Sequence, residues 1–426
     1  MKNDDLFNLT NSIINNVVNN HVPFRLAIRA ELSLNKKINN ADNNTALSRI
    51  LGNLFNHYYL FLKIAKKEIG EYDDLLLMPI LILLTNEICL KDKKIPTDEI
   101  IELALKQLKG NGVEVEKEQL EELIKKYDSI DSMIEYPADS FEYHSEKYDV
   151  PLWLIKMWNK YFGDKIAKSI SSSLRRQVPP FVRIDKNKIS EEEFLKDEEY
   201  KKTIQDGIYI KQNLSIGKSQ LLRDRKVYEF NPALNLVFDD LQIKDNDHIA
   251  LYFGSDFRNM EIRLNELTNA SNEIDFMVEP IKLHTTIEEN LAILNIRNIK
   301  LYEAKPEEII TCVSSKVDHF FVSPLSSNFD SVRYSNDFFI HYDRNGLDEL
   351  IEHQKYILEE AISNLNDGGD VIYFVPTISN KEGHFLINEA LRNHPELVLV
   401  KERQIFPFTP YRKCFYFAIL RKEVKE

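Results

Sequence analysis

Two apolar runs in the second half of the sequence end in loops whose residues could take part in chemistry. Val317–Ser327 reads as a buried strand that runs into a loop, and Gly368–Thr377 repeats the arrangement further along the chain. A serine such as Ser326 can act as a nucleophile when a neighbouring base takes its proton, whereas Pro376 cannot attack at all. No base for Ser326 is evident from the sequence, and an unassisted hydroxyl is a far weaker nucleophile than a thiolate.

The three cysteines, Cys89, Cys312 and Cys414, lie far apart in the sequence. Their number and spacing predict a reducing compartment without a disulfide framework, and no pair has metal-ligand spacing, so we expect no metal site. Cys89 falls in a helical region, Cys312 precedes the strand at Val317, and Cys414 falls on the last strand. We interpret each of them as a small buried hydrophobic residue rather than as a reactive thiol.

Composition limits the classes of function. A hydrophobic content of 43% and a charged content of 29% are ordinary for a globular protein, and 12 glycines argue against glycine-rich phosphate loops. The net charge of -13 lowers the expectation of strong non-specific binding to nucleic acid. The longest apolar run, Leu75–Leu84, is too short to span a bilayer, and the first residues lack a signal-peptide pattern. We therefore expect a cytoplasmic protein that makes no membrane contact.

The pattern of elements predicts a multidomain α + α/β chain. Residues 1–135 read as an all-α bundle, residues 136–222 as a small α/β linker domain, and residues 223–426 as alternating strands and helices. Such alternation predicts a Rossmann-like, mostly parallel sheet of seven strands, with an antiparallel pair at one edge. The clearest predicted strands are His248–Phe253, Glu273–Val278, Ile299–Glu303, His319–Val322, Asp370–Val375, Gln404–Phe408 and Lys413–Leu420.

Several short phrases occur in an order that is similar to one known family. They are Leu47–Leu54, Ile95–Ala104, Val150–Trp158, Phe181–Asp185, Asn290–Leu291, Arg333 with Asp337, and Phe415–Lys422. Together they resemble the RsmB/NOP family of RNA cytosine carbon-5 methyltransferases, specifically its bacterial RsmB branch, over nearly the whole chain. The resemblance implies a NusB-like domain at 1–135, a methyltransferase domain at 223–426 and S-adenosylmethionine as cofactor. It also implies 16S ribosomal RNA, and not DNA, as the nucleic-acid partner.

The family's cofactor loop is altered in this sequence. Where the family has a glycine-rich loop after the first sheet strand, this chain has Tyr252–Glu261, which keeps one glycine, Gly254. The family's ribose-binding acid at the end of the second strand is represented by Glu279, one residue late. If a cofactor is retained, the resemblance assigns its contacts to Tyr252, Gly254, Asp256, Glu279 and Ser323. Bulky residues stand where the family has small or polar ones, and we predict that they partly fill the cofactor space: Phe253, Phe257, Met260 and Phe374.

The family's two cysteines are also absent. In that family one thiolate attacks carbon 6 of cytosine, so that carbon 5 can accept the methyl group, and the second cysteine assists release. The corresponding positions here are Ser326 and Pro376. The resemblance therefore predicts a methyltransferase fold without the family's catalytic groups.

Three functions remain open from the sequence. The leading hypothesis is a non-catalytic homologue that binds RNA or the small ribosomal subunit. A second is an active S-adenosylmethionine-dependent ribosomal RNA methyltransferase with another mechanism or target atom. A third is a protein-interaction module that acts through the helical bundle. Candidate RNA contacts, for which scattered surface charge is an equally good interpretation, are Arg176, Arg183, Arg225, Lys226 and Arg333.

Overall fold

The chain folds into two compact units. The computed structural model describes residues 2–35, 38–212, 219–238, 241–254, 259–269, 271–279, 281–313 and 315–424. The first unit comprises Met1–Arg176 and Ser331–Tyr342, and the second comprises Gln177–Asp330 and Asp343–Glu426. The prediction of a multidomain α + α/β protein with an N-terminal helical region is confirmed.

Helices build the first unit. They are α1 (Asn3–Asn19), α2 (Phe24–Leu34), α3 (Ala41–Phe55), α4 (Tyr58–Ile69), α5 (Met78–Leu84), α6 (Thr97–Gly110), α7 (Lys117–Lys126), α8 (Phe141–Tyr148), α9 (Leu152–Phe162) and α10 (Asp164–Leu174). Every residue of α5 is buried, as expected for a central helix that is apolar on all sides. Within the described residues, no helix is both long and apolar enough to cross a membrane.

A small antiparallel sheet opens the second unit. Its strands β1 (Phe181–Ile184), β2 (Tyr200–Lys202), β3 (Tyr209–Lys211) and β4 (Val227–Glu229) lie in the order β2-β3-β1-β4. Short helices accompany it: α11 (Glu191–Phe194), α12 (Gln220–Arg223) and α13 (Pro232–Phe238). The sequence indicated only the first of these strands.

The large sheet forms the rest of the second unit. Its strands are β5 (His248–Phe253), β6 (Glu273–Val278), β7 (Ile299–Glu303), β8 (Val317–Ser323), β9 (Leu365–Val375), β10 (Leu397–Ile405) and β11 (Phe415–Lys422). In the part of the chain that the structure describes, these seven strands lie in the order β10-β11-β9-β8-β5-β6-β7. Strands β5 to β9 pair in parallel, whereas β11 is antiparallel to both of its neighbours. The predicted seven-stranded sheet with an antiparallel edge is confirmed.

Helices and two apolar cores cover the faces of this sheet. The helices are α14 (Met260–Leu267), α15 (Ile281–Leu294), α16 (Ile309–Cys312), α18 (Gly346–Ser363) and α19 (His384–Asn393). Neighbouring strand residues point to opposite faces, so Phe253 joins one core and Tyr252 the other. Helix α18 begins beside Asp343, whose carboxylate accepts hydrogen bonds from the amides of Asn345 and Gly346.

The segment Ser331–Tyr342, which contains α17 (Phe338–His341), belongs to the first unit although it follows β8 in sequence. Asp337 accepts a hydrogen bond from the backbone amide of Phe24 at 2.9 Å, and the side-chain amide of Asn336 donates to the Gly52 carbonyl at 3.1 Å. The segment is therefore part of the fold of the helical unit.

The bounds of four strands of the large sheet differ from the prediction, those of β9 and β10 by the most. β10 covers Leu397–Ile405, whereas the sequence placed it at Gln404–Phe408, and β9 begins at Leu365 instead of Asp370. The run Leu397–Val400 is apolar, but Val398 to Val400 lie at least 38% exposed at the edge of the sheet. An edge strand with exposed apolar residues lacks the clean alternation that marks a strand in sequence.

Candidate functional site

The carboxyl ends of β5, β6, β8 and β9 meet at one edge of the large sheet. Their backbones remain hydrogen-bonded at this edge, since the Gly254 amide donates to the Ser323 carbonyl at 2.8 Å and the Glu279 amide donates to the Phe253 carbonyl at 3.0 Å. Ligands of open α/β sheets bind in the crevice outside such strand ends. This edge is therefore the candidate site.

The loops after β8 and β9 are joined through the carboxylate of Glu382, which is 0% exposed. Ser327 donates from its amide at 2.7 Å and from its hydroxyl at 2.5 Å. Thr377 donates its hydroxyl to the same carboxylate at 2.9 Å, and its oxygen lies 2.9 Å from that of Ser327. One buried acid thus ties together the two loops that the sequence singled out.

Helix α18 completes this network through Gln354, which is also fully buried. Its side-chain nitrogen donates to Glu382 at 3.2 Å and to the Leu325 carbonyl at 2.8 Å. Tyr373 on β9 donates to the Glu382 carbonyl at 2.9 Å, and burial together with the charge of Glu382 raises the pKa of this phenol well above its usual value. We name the group Ser327, Gln354, Thr377 and Glu382 the Glu382 network.

Ser326 and Pro376, the positions that the sequence resemblance assigns to the family's cysteines, lie beside this network. Ser326 is half-buried, and its hydroxyl accepts from the amide of Asn328 at 3.3 Å. Pro376 is buried, and its carbonyl accepts from the amide of Asp330 at 3.4 Å. Sequence reasoning chose Ser326, but the serine whose hydroxyl contacts an acid is the next residue, Ser327. Nothing in the sequence pointed to Glu382, because an acid in a polar loop is ordinarily solvated.

A second group of side chains lies around Gly254. A Cβ atom on this glycine would lie 2.7 Å from the Leu325 amide nitrogen and 2.9 Å from Glu279 Oε2. The same Glu279 oxygen accepts from the Tyr252 hydroxyl at 2.9 Å and lies 3.5 Å from His353 Nε2 on α18. A side chain therefore does not fit at position 254, because Leu325 and Glu279 lie close against its backbone.

The contacts of Glu279 shift its ionisation. Burial by itself would raise the pKa of this carboxyl, but the nearby His353 imidazole and the hydrogen bond from Tyr252 bring that pKa below its usual value. Burial and the adjacent Glu279 charge in turn raise the pKa of the Tyr252 phenol far above its usual range. Glu279 is thus an ionised acceptor whose partners come from within the protein.

These residues do not fit a nucleoside cofactor lying against Gly254 in the arrangement observed. Leu325 lies against the glycine, and one oxygen of Glu279, the acid expected to take ribose hydroxyls, accepts from Tyr252 and lies 3.5 Å from His353 Nε2. Ser323 is 0% exposed, and its hydroxyl has no hydrogen-bond partner among the described residues. Asp256 and Phe257 lie outside the described residues.

The other bulky residues near this edge are core residues. Phe253, Met260 and Phe374 are at most 1% exposed and belong to one apolar core, in which the rings of Phe253 and Phe374 are 5.7 Å apart. At Gly254 itself, the atoms within 3 Å of the Cβ position belong to Leu325 and Glu279.

The cysteines occupy three separate places. Cys89 lies in the first unit, and burial raises the pKa of its thiol to about 12. Cys312 lies before β8, and the pKa of its thiol is also raised, mainly by burial. Cys414 directly precedes β11, and its amide donates to Asp330 at 3.0 Å. Because Tyr416 is opposite Val375, Cys414 lies at the candidate edge, but it is only 1% exposed. Among the described residues, no group of three or more His, Cys, Asp or Glu side chains could hold a metal ion.

The candidate RNA contacts have different environments. Arg183 is 8% exposed, and its guanidinium donates to Tyr228, Asn235 and Glu266, so its donors are used inside the second unit. Arg225 is exposed and Lys226 is half-buried in the same unit. In the first unit Arg176 is exposed and Arg333 is 5% exposed.

Comparison with known proteins gives structural likeness at low sequence identity. No protein-family model and no curated protein matches the sequence. The crystal structure of PH0851 matches with a TM-score of 0.69 and 18% identity, over 99% of each chain. NSun6 from Pyrococcus horikoshii, determined with SFG, matches with a TM-score of 0.56 and 15% identity, over 65% of this chain and 99% of that one.

A methyltransferase homolog protein from Pyrococcus horikoshii matches with a TM-score of 0.54 and 16% identity, over 64% of this chain and 95% of that one. At such identities these likenesses show a common fold. The chain therefore has a multidomain α + α/β fold of the methyltransferase type.

Proposed function

We propose that this chain is a relative of the RNA cytosine carbon-5 methyltransferases that does not transfer methyl groups and uses its fold to bind RNA. The observation that carries the proposal is the Glu382 network. In the resembled family the same two loops hold reactive thiols, whereas here they hold a buried, hydrogen-bonded carboxylate.

The chemistry of the described residues supports this proposal. Thiolate attack requires an accessible cysteine of low pKa. Ser326 and Pro376 provide no thiol, and the sulfur of Cys414 belongs to a residue that is only 1% exposed. None of these positions could begin the family's reaction.

Ser327 does not replace the missing nucleophile. A carboxylate offers about four lone-pair sites, and Glu382 accepts from the Ser327 amide, the Ser327 hydroxyl, the Thr377 hydroxyl and the Gln354 amide. The acid beside Ser327 thus has its sites filled by structural hydrogen bonds. We infer that the network stabilises the two loops and does not activate the serine.

The cover over Gly254 also supports the loss of methyl transfer. A cofactor that approached this backbone would have to displace the Leu325 amide, while the Gln354 side chain holds Leu325 through its carbonyl. Leu325 is therefore coupled to the Glu382 network, and opening the crevice would disturb buried hydrogen bonds.

RNA is the proposed partner, with 16S ribosomal RNA or the small ribosomal subunit as its expected form. The phrases Leu47–Leu54 and Ile95–Ala104 lead us to propose the bacterial RsmB branch and a NusB-like bundle. The net charge of -13 favours a second candidate, a protein partner that contacts the helical unit.

The proposal is tested with purified protein, small ribosomal subunits and S-adenosylmethionine that carries a labelled methyl group. We expect no label in the RNA, and we expect salt-sensitive retention of the RNA in a filter-binding assay. Methyl transfer in amounts comparable to the enzyme would refute the loss of catalysis. If RNA does not bind but a ribosomal or other protein is captured, the protein-partner candidate replaces RNA.

A further inference from the structure

A serine, a histidine and an aspartate lie in line at the opposite edge of the large sheet, where β5 and β8 begin. Ser315 Oγ is 3.2 Å from His248 Nδ1, and His248 Nε2 is 2.8 Å from Asp275 Oδ2. Ser315 is exposed, the side chain of His248 is 12% exposed and Asp275 is 1% exposed. The order from solvent inwards is therefore hydroxyl, imidazole, carboxylate.

The buried carboxylate determines which imidazole nitrogen faces the serine. Asp275 is an acceptor, so the neutral ring that donates from Nε2 presents the lone pair of Nδ1 to the Ser315 hydroxyl, whose oxygen also lies 3.5 Å from the Lys316 carbonyl. This is the tautomer that a general base requires. In the best-known serine hydrolases Nε2 faces the serine and Nδ1 donates to the aspartate, whereas here Nδ1 faces the serine and Nε2 donates to the aspartate. Either ring nitrogen can accept and release the same proton.

Further contacts fix the histidine and the aspartate. The Tyr302 hydroxyl donates to the other carboxylate oxygen of Asp275 at 3.2 Å. The backbone amide of His248 donates to Asp318 Oδ2 at 2.9 Å. Because β5 and β6 pair in parallel through Ala250 and Asp275, two adjacent strands hold the base and its acid in register. A hydrogen-bonded pair that is held on strands can keep a reactive geometry.

We propose that Ser315, His248 and Asp275 form a nucleophilic relay that hydrolyses small carboxylic esters. Ser315 Oγ attacks the ester carbonyl carbon, and its proton passes to His248 Nδ1. The bond to the leaving alcohol breaks, and His248 gives that proton to the alcohol. Water then attacks the acyl-serine and gives a proton to His248, and as the bond between the acyl carbon and Ser315 Oγ breaks His248 returns that proton to Oγ, so that the products are a carboxylic acid and free Ser315.

This assignment differs from a structural His–Asp pair in one respect. If His248 and Asp275 only held the strand ends together, no hydroxyl would be needed beside His248 Nδ1. Here the hydroxyl is exposed, so a small substrate can reach it without opening the fold. The site uses the amino ends of the strands and shares no residue with the Glu382 network, so its test is independent of the proposed function.

The test is reaction with a fluorophosphonate probe, which labels activated serines, and hydrolysis of p-nitrophenyl acetate. We expect the probe on the peptide that contains Ser315 in mass spectrometry. Ser315→Ala should abolish this label. His248→Gln should lower both labelling and ester hydrolysis by about a hundredfold or more, because the base is lost. Ser33→Ala, which removes an exposed hydroxyl on α2, is the matched control and should change neither.

Two results would overturn the proposal. One is an unlabelled Ser315 in folded wild-type protein. The other is equal labelling in wild type and His248→Gln, which would mean that the serine reacts without the relay. Asp275→Asn tests the inner acid, and its buried position requires that its folding be checked by circular dichroism. Ser315 is exposed, so Ser315→Ala remains decisive if the other variants do not fold.

Discussion

Glu382 is the residue whose environment departs most from what the sequence suggests. Its loop, Ser379–Gly383, is polar and reads as solvated, yet the carboxylate is fully buried and accepts from two loops and from α18. Buried charged groups persist only where hydrogen bonds replace water. The donors come from positions 327, 354 and 377, so only the tertiary fold could reveal the network.

Replacing the carboxylate of Glu382 should destabilise the second unit. Glu382→Gln keeps the shape but turns an amide group toward donors, so we expect a loss of about 2–3 kcal/mol in the free energy of unfolding, measured in urea. Glu349→Gln, at an exposed position of α18, should change stability by less than about 0.5 kcal/mol. Equal urea midpoints for Glu382→Gln and wild type would show that the network contributes no stability.

At the level of elements, the sequence predicted the strands β5, β6 and β7 best, although β7 is only partly buried. The predicted bounds of β5, β6 and β7 agree with the structure. The strands β2, β3 and β4 were missed because three residues each are too few for an alternating pattern to appear. Sequence periodicity also could not show that Ser331–Tyr342 folds with the helical unit.

Arg175, just after α10, contacts the segment Ser331–Tyr342 within the helical unit. It donates to the carbonyls of Tyr148 and Asn336 at 3.0 and 2.9 Å, and lies 3.4 Å from Asp149, which is 3% exposed. Arg175→Met would leave this aspartate buried without its cation, and should cost about 3–5 kcal/mol of stability in a urea titration.

The neighbouring Arg176 provides the control for Arg175. It is exposed, so Arg176→Met should alter the free energy of unfolding by less than about 0.5 kcal/mol. If the two methionine variants unfold at the same urea concentration, the buried contacts of Arg175 do not stabilise the helical unit.

His57, just before α4, should make stability depend on pH. Burial, with a smaller effect of the Arg175 charge, lowers the pKa of this imidazole from 6.5 to about 4. In the unfolded chain His57 therefore binds a proton below about pH 6.5, whereas in the folded chain it binds one only near pH 4. Protonation between these pH values thus favours the unfolded state. Wild type should lose about 3 kcal/mol relative to His57→Gln as the pH falls through this window.

This prediction is checked by denaturant titrations of both proteins at pH 7 and at pH 4. Asp149, whose pKa burial raises to about 6, has the opposite dependence, but it is present in both proteins and cancels in the difference. A stability difference that stays constant between the two pH values would contradict the buried, neutral state of His57.

At the scale of the whole molecule, order and spacing of elements predicted the architecture, whereas the chemistry depends on a few loop residues. PH0851 matches over 99% of each chain at only 18% identity, so the fold tolerates nearly complete replacement of side chains. The sequence alone showed that Ser326 and Pro376 are not cysteines. It could not show that Leu325 and Glu279 cover Gly254, because this depends on how the loops pack.

We propose that the chain itself closes the edge of the sheet that would bind a methyl donor. Titration calorimetry of the folded protein with S-adenosylmethionine tests this proposal. Because Leu325 and Glu279 occupy the space at Gly254, we predict no binding heat up to about millimolar cofactor. Saturable binding with a Kd of about a micromolar would contradict a closed crevice.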